Sequence, residues 1–180
     1  MAGDFPLDPI VATFARYGLR KASMEDVAAA LGVSRQALYL RYGSKGALVE
    51  WAIGGLIDSS LAAALASIEQ PAKTLAERLA DALDAWAGRH MAALRLSPHG
   101  VEIVAMLQRD PPEAVRIAER RLVAAMAEAI RLSGPGSAVS RAGSMAQALC
   151  WTARGLVHAV PDHMTFRRQL DSIVGALVAR

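Results

Sequence analysis

The chain has 180 residues, 53% of them hydrophobic but only 5% aromatic, with a single cysteine and a formal charge of +3. This length allows one large core, or a small domain leaning on a larger one. Cys150 stands alone, which excludes an intrachain disulfide. No apolar stretch approaches the ~18 residues of a membrane span, and the opening MAGDFPLDP lacks the basic and apolar segments of a signal peptide. The expectation is a cytoplasmic protein with no membrane partner.

Alanine, leucine and arginine outweigh β-branched runs, so the predicted fold class is all-α, with about nine helices. Asp8-Pro9 reads as a helix start, with aspartate as N-cap and proline at the first helical position, and Gly18 as the stop. Ser23 caps a second helix, with Asp26 at the capping-box position. Gly32 ends that helix and Ser34 caps a third, striped by Ala37, Leu38 and Tyr42. Ser44 caps a long fourth helix reaching about Ile68. A fifth runs over 74–96, with Leu75, Leu79, Leu83, Trp86, His90 and Leu94 on one stripe. A short helix over 101–108 and a longer one over 112–132 follow, then a loop at Ser133-Gly134-Pro135-Gly136. The last two helices span about 139–160 and 164–178, separated by Pro161.

Two short helices joined by a turn of about four residues make a helix-turn-helix, whose second helix enters the DNA major groove. Between residues 15 and 46, Arg16, Arg20, Lys21, Arg35, Arg41 and Lys45 stand against Glu25 and Asp26, a local surplus of +4 that suits phosphate binding. The run Gly32-Val33-Ser34, Leu38-Tyr39, Tyr42-Gly43-Ser44-Lys45 and Leu48, preceded by Phe14-Ala15-Arg16-Tyr17-Gly18, resembles the DNA-binding domain of the tetracycline-repressor-like (TetR) transcriptional regulators.

The resemblance implies an N-terminal three-helix DNA-binding domain over 1–47, continuous through the fourth helix with a helical ligand-sensing and dimerisation domain over 48–180. It further implies a double-stranded DNA operator as partner, a homodimer, and a small-molecule effector of unknown identity. The DNA-binding residues it implies are Ser23, Ser34, Arg35, Gln36, Tyr39, Arg41 and Lys45. Ser23 and Lys45 would meet phosphate, Tyr39 and Arg41 the backbone, and Arg35 and Gln36 the base edges, where arginine prefers guanine and glutamine serves adenine. The N-terminal arm departs from the family, carrying Asp4 and Asp8 where basic residues are usual.

A dimer would form through small residues of the eighth helix (Ala142, Ala146, Leu149, Ala153, Leu156) and the stripe Phe166, Leu170, Ile173, Val174 and Leu177 of the ninth, as an isologous four-helix bundle. Trp86, His90, Met106, Met126, Cys150, Trp151 and Arg154 are the candidates to line an apolar effector pocket, Arg154 being its polar anchor. No metal-ligand spacing of histidines, phosphate-cradling glycine loop or serine nucleophile elbow is present, so neither an enzyme nor a cofactor is expected. The predicted function is a repressor that binds a palindromic operator and is released by its effector. The alternative is a regulator or architectural DNA-binding protein whose helical body binds a protein partner and no small ligand.

Overall fold

The computed structural model describes residues 4–89, 97, 99–100, 111–133 and 136–178. Among them every regular element is helical: α1 (Leu7–Tyr17), α2 (Met24–Leu31), α3 (Arg35–Tyr42), α4 (Lys45–Ile68), α5 (Leu75–Leu83), α6 (Glu113–Ser133), α7 (Gly136–Val139), α8 (Ala142–Ala159) and α9 (His163–Val178). The chain divides into two compact units. The first holds residues up to Ile57, joined by Ser97, His99, Gly100, Pro111 and Pro112, and the second holds the rest from Asp58. The helix expected over 101–108 lies outside the described residues.

In the first unit the caps act as the sequence requires. Ser23 Oγ accepts the Asp26 amide at 3.1 Å while the Asp26 carboxylate accepts the Ser23 amide at 2.8 Å, a reciprocal box that satisfies both donors. Gly32 takes the left-handed conformation (φ 67°, ψ 30°) that closes α2. Ser34 and Ser44 accept the Ala37 and Ala47 amides, each at 3.1 Å. With its ends fixed, the unit buries Ile10, Phe14, Val27, Leu38 and Leu48 around one small core; each such side chain contributes about 1.5–3 kcal/mol through its removal from water. The start of α1 differs from expectation. It begins at Leu7 after Pro6, with no side-chain cap, and Asp8 sits inside the first turn.

α4 alters the reading of the apolar stretches. It is long and apolar enough to cross a membrane by length and composition alone, with a mean hydropathy of 1.5 over its best 18-residue window. It also carries Lys45, Glu50 and Asp58, places Leu48 and Ala52 in the core of the first unit, and buries Leu61, Ala64 and Ile68 further along.

In the second unit α6 packs on α8, and α5 and α8 pack on α9. Leu79, Leu83, Leu122, Met126, Ile130, Leu149, Phe166 and Leu170 are fully buried. Thr74 and Glu77 form a second capping box at the start of α5. The helix predicted over 74–96 does not stay α-helical. After Leu83 it widens into a π turn, Asp84–Gly88, closed by the Arg89 amide on the Asp84 carbonyl at 2.8 Å. Gly88 allows this, because a Cβ there would lie 2.5 Å from Phe166 Cε1. The loop expected at 133–136 is also interrupted, since Gly136 opens the short α7.

Candidate nucleic-acid interface

α3 is a two-turn helix anchored by one residue. Leu38 is fully buried, and at 100° per residue the positions facing away from it are Gln36 and Leu40, about 160° to either side. Arg35 and Tyr39 form one flank, Ala37 and Arg41 the other. Ser34, Arg35, Gln36, Tyr39, Leu40 and Arg41 are all exposed. The structure therefore brings five of the seven expected DNA-binding residues to one outward surface. It adds Leu40, 80% exposed, which sequence reasoning missed because an isolated leucine in a helix reads as core.

The polar contacts refine the expected roles. Arg35 lies over the Tyr39 ring, its carbon 5.3 Å from the centroid, with Nη2 3.4 Å from the Tyr39 hydroxyl. Its Nη1 is 3.7 Å from Glu25 of α2. The Arg35 side chain stays 58% exposed, so its guanidinium is open to a planar, bidentate acceptor. Ser34 uses its oxygen as an acceptor for the cap, so its hydroxyl proton remains to donate outward.

Three residues expected on phosphate have partners within the chain. Ser23 donates its hydroxyl proton to the Asp26 carboxylate at 2.6 Å, so a phosphate there meets helix-end amides and an acid, and no free hydroxyl. The Ser23 hydroxyl and amide hold Asp26 below the usual carboxylate range, so that acid is ionised throughout the neutral region. Arg41 is expected on phosphate; instead its Nε donates to Asp4 at 2.9 Å and its Nη2 makes a shorter contact with the same oxygen. The acidic arm therefore lies against the recognition helix, with Phe5 beside Tyr42 at 6.3 Å between ring centroids. Lys45 donates to the Arg20 carbonyl at 2.9 Å, tying the start of α4 to the α1–α2 loop while two ammonium protons remain.

The candidate effector residues do not form one site. His90 and Met106 lie outside the described residues. Met126 and Cys150 are buried together, sulfur to sulfur at 3.9 Å, and burial pushes the Cys150 thiol up to about 12. Trp86 is half-buried, but Trp151 is 61% exposed on the outer face of α8 and lines nothing inside. Arg154 has its acid within the same chain, Glu119 of α6, and is not an open anchor. A cleft of about 360 Å³ opens elsewhere, lined by Ser67, Lys73, Asp81, Asp84, Ala85, Arg89 and Arg167 beside the π turn. Periodicity gave no signal for it, since it depends on the local widening of the helix.

The dimer stripes need a similar correction. Ala142, Ala146, Leu149, Ala153, Phe166, Leu170 and Val174 are at most 2% exposed within the single chain. They are the second unit's own core and have no surface left for a partner. Only Leu156, Ile173 and Leu177 of the expected set reach the surface.

A helix-turn-helix followed by a helical body is a layout that DNA-binding transcriptional regulators use. Residues 7–52 match the family model described as bacterial regulatory proteins, tetR family. The whole fold is shared with solved regulators. A TetR-like transcriptional regulator from Rhodococcus is 24% identical, with a TM-score of 0.65 over 97% of this chain and 94% of that one. A second transcriptional regulator from Rhodococcus is 20% identical, with a TM-score of 0.67 over 96% and 94%. The TetR family regulator PfmR from Thermus thermophilus is 16% identical, with a TM-score of 0.63 over 96% and 97%. No curated protein matches the chain in sequence.

Proposed function

We propose that this protein is a cytoplasmic repressor that binds a palindromic operator as a homodimer and releases it when a small molecule occupies the helical body. The observation that carries the reading is the outward face of α3, where a stacked Arg35–Tyr39 pair flanks Gln36 and Leu40 opposite a single buried anchor. One such helix buries too little surface for strong specificity, and a twofold pair reading half-sites about one helical turn apart supplies the rest. Exposed apolar side chains on α8 and α9 support a dimer: Trp151 and Leu177 are 61% and 42% exposed. An effector releases DNA only by binding the non-binding conformation more tightly, and moving the balance from 1:99 to 99:1 takes about 5.5 kcal/mol.

The deciding experiment is selection of bound sequences from random duplex DNA with the purified protein, at about 0.15 M salt. A twofold-symmetric motif is expected. Salt-labile binding without a motif would favour an architectural role instead, and no binding at any salt would remove DNA from the account.

A further inference from the structure

We infer that Leu40 is a specificity-determining residue that reads the 5-methyl group of a thymine in the operator; the inference rests on the DNA-binding reading above. A single exposed leucine is ordinary on a protein surface, and its exposure alone would mean little. Its register carries the argument. Leu40 and Gln36 are one turn apart on the side of α3 opposite Leu38, which is fully buried, while Leu40 is 80% exposed. The cationic and phenolic groups stand on the flanks. The Arg35–Tyr39 stack lies on one side, and Arg41, engaged by Asp4 across the surface, lies on the other.

A helix seated in the major groove points its apex at the base edges and its flanks at the two walls. The apex residue one turn after Gln36 is therefore an aliphatic side chain. The major-groove edges of guanine, cytosine and adenine offer donors and acceptors, and thymine alone adds a methyl group. Leucine can satisfy none of the polar groups. Set against the amino group of cytosine or adenine, it would strip water without replacing the hydrogen bond, which costs free energy.

The test uses fluorescence anisotropy on the sequence selected by the wild-type protein, with each thymine of one half-site replaced in turn by uracil, which lacks only the methyl group. One position should weaken wild-type binding roughly three- to fivefold, the value of one buried methyl group. Leu40→Ala should be indifferent at that position while keeping its response to every other change, and Leu40→Met should retain the wild-type response. Because the site is exposed, both variants should keep the wild-type helical circular dichroism. If no uracil affects the wild type, or if Leu40→Ala responds as the wild type does, the inference is wrong although the protein reads DNA. If the wild type selects no motif, the DNA-reading proposal and this inference fall together.

Discussion

Arg41 shows how one distant contact changes what a side chain offers. In sequence it is a cation on the recognition helix; in the fold its Nε is 2.9 Å from Asp4. Both partners are nearly half exposed, so the pair is worth at most about 1 kcal/mol. Phosphate must nonetheless displace that carboxylate to use Arg41. Asp4→Asn is therefore expected to tighten DNA binding by a few-fold and to leave the thermal midpoint almost unchanged, as read by anisotropy and calorimetry at one salt concentration. Unchanged affinity would mean that Arg41 never reaches the backbone. The serine caps were legible because a cap and its amide are three residues apart. The Arg41–Asp4 pair was not, because its partners are 37 residues apart and meet only after α1 and α3 have packed. Leu40 was missed for the opposite reason: nothing local marks a leucine as outward.

Helix order and most boundaries were readable from periodicity and caps, which depend only on neighbours in sequence. The π turn was not: it lies where Gly88 meets Phe166, a tertiary contact that neighbours in sequence do not encode. α4 offers a direct comparison of two adjacent glycines. A Cβ at Gly54 meets nothing within 4 Å, whereas one at Gly55 would lie 3.1 Å from Leu7 Cδ2. Glycine within a helix costs about 0.5–1 kcal/mol relative to alanine. Gly54→Ala should thus stabilise the protein by roughly that amount. Gly55→Ala should gain less or lose stability, as Leu7 is displaced from its place against α4. Denaturant unfolding of the two variants checks this, and equal gains would show that the Leu7 contact exerts no constraint.

Across the second unit the stripes of α8 and α9 were correctly apolar and wrongly assigned to a partner. An amphipathic stripe states that a face is covered, not what covers it. The same unit is held on one side by a charged network. Asp81 accepts Lys73 at 2.6 Å and Arg167 at 2.5 Å. Burial raises its pKa, but the two cations together outweigh this and leave it below the ordinary value, about 3.9 in an unfolded chain. The unfolded chain therefore takes up the proton first. Asp81 contributes stability that is complete above about pH 4 and disappears as pH falls through its lower folded value. Asp81→Asn should lower the unfolding free energy from urea titration at neutral pH by an amount on the order of 1 kcal/mol. The gap to wild type should close as the solution is acidified below about pH 4; a gap independent of pH would overturn the assignment.

The buried sulfur pair has a use outside the protein's own chemistry. Cys150 is the chain's one cysteine, is 2% exposed, and keeps its thiol protonated in neutral solution with a pKa pushed up to about 12. Thiolate is the reactive form, so the natural chain is a silent background for thiol-directed probes. A cysteine placed on the exposed end of α3 would take a spin label or fluorophore at that position alone. In a twofold assembly the two labels form a ruler between recognition helices, able to report directly whether a candidate small molecule changes their spacing.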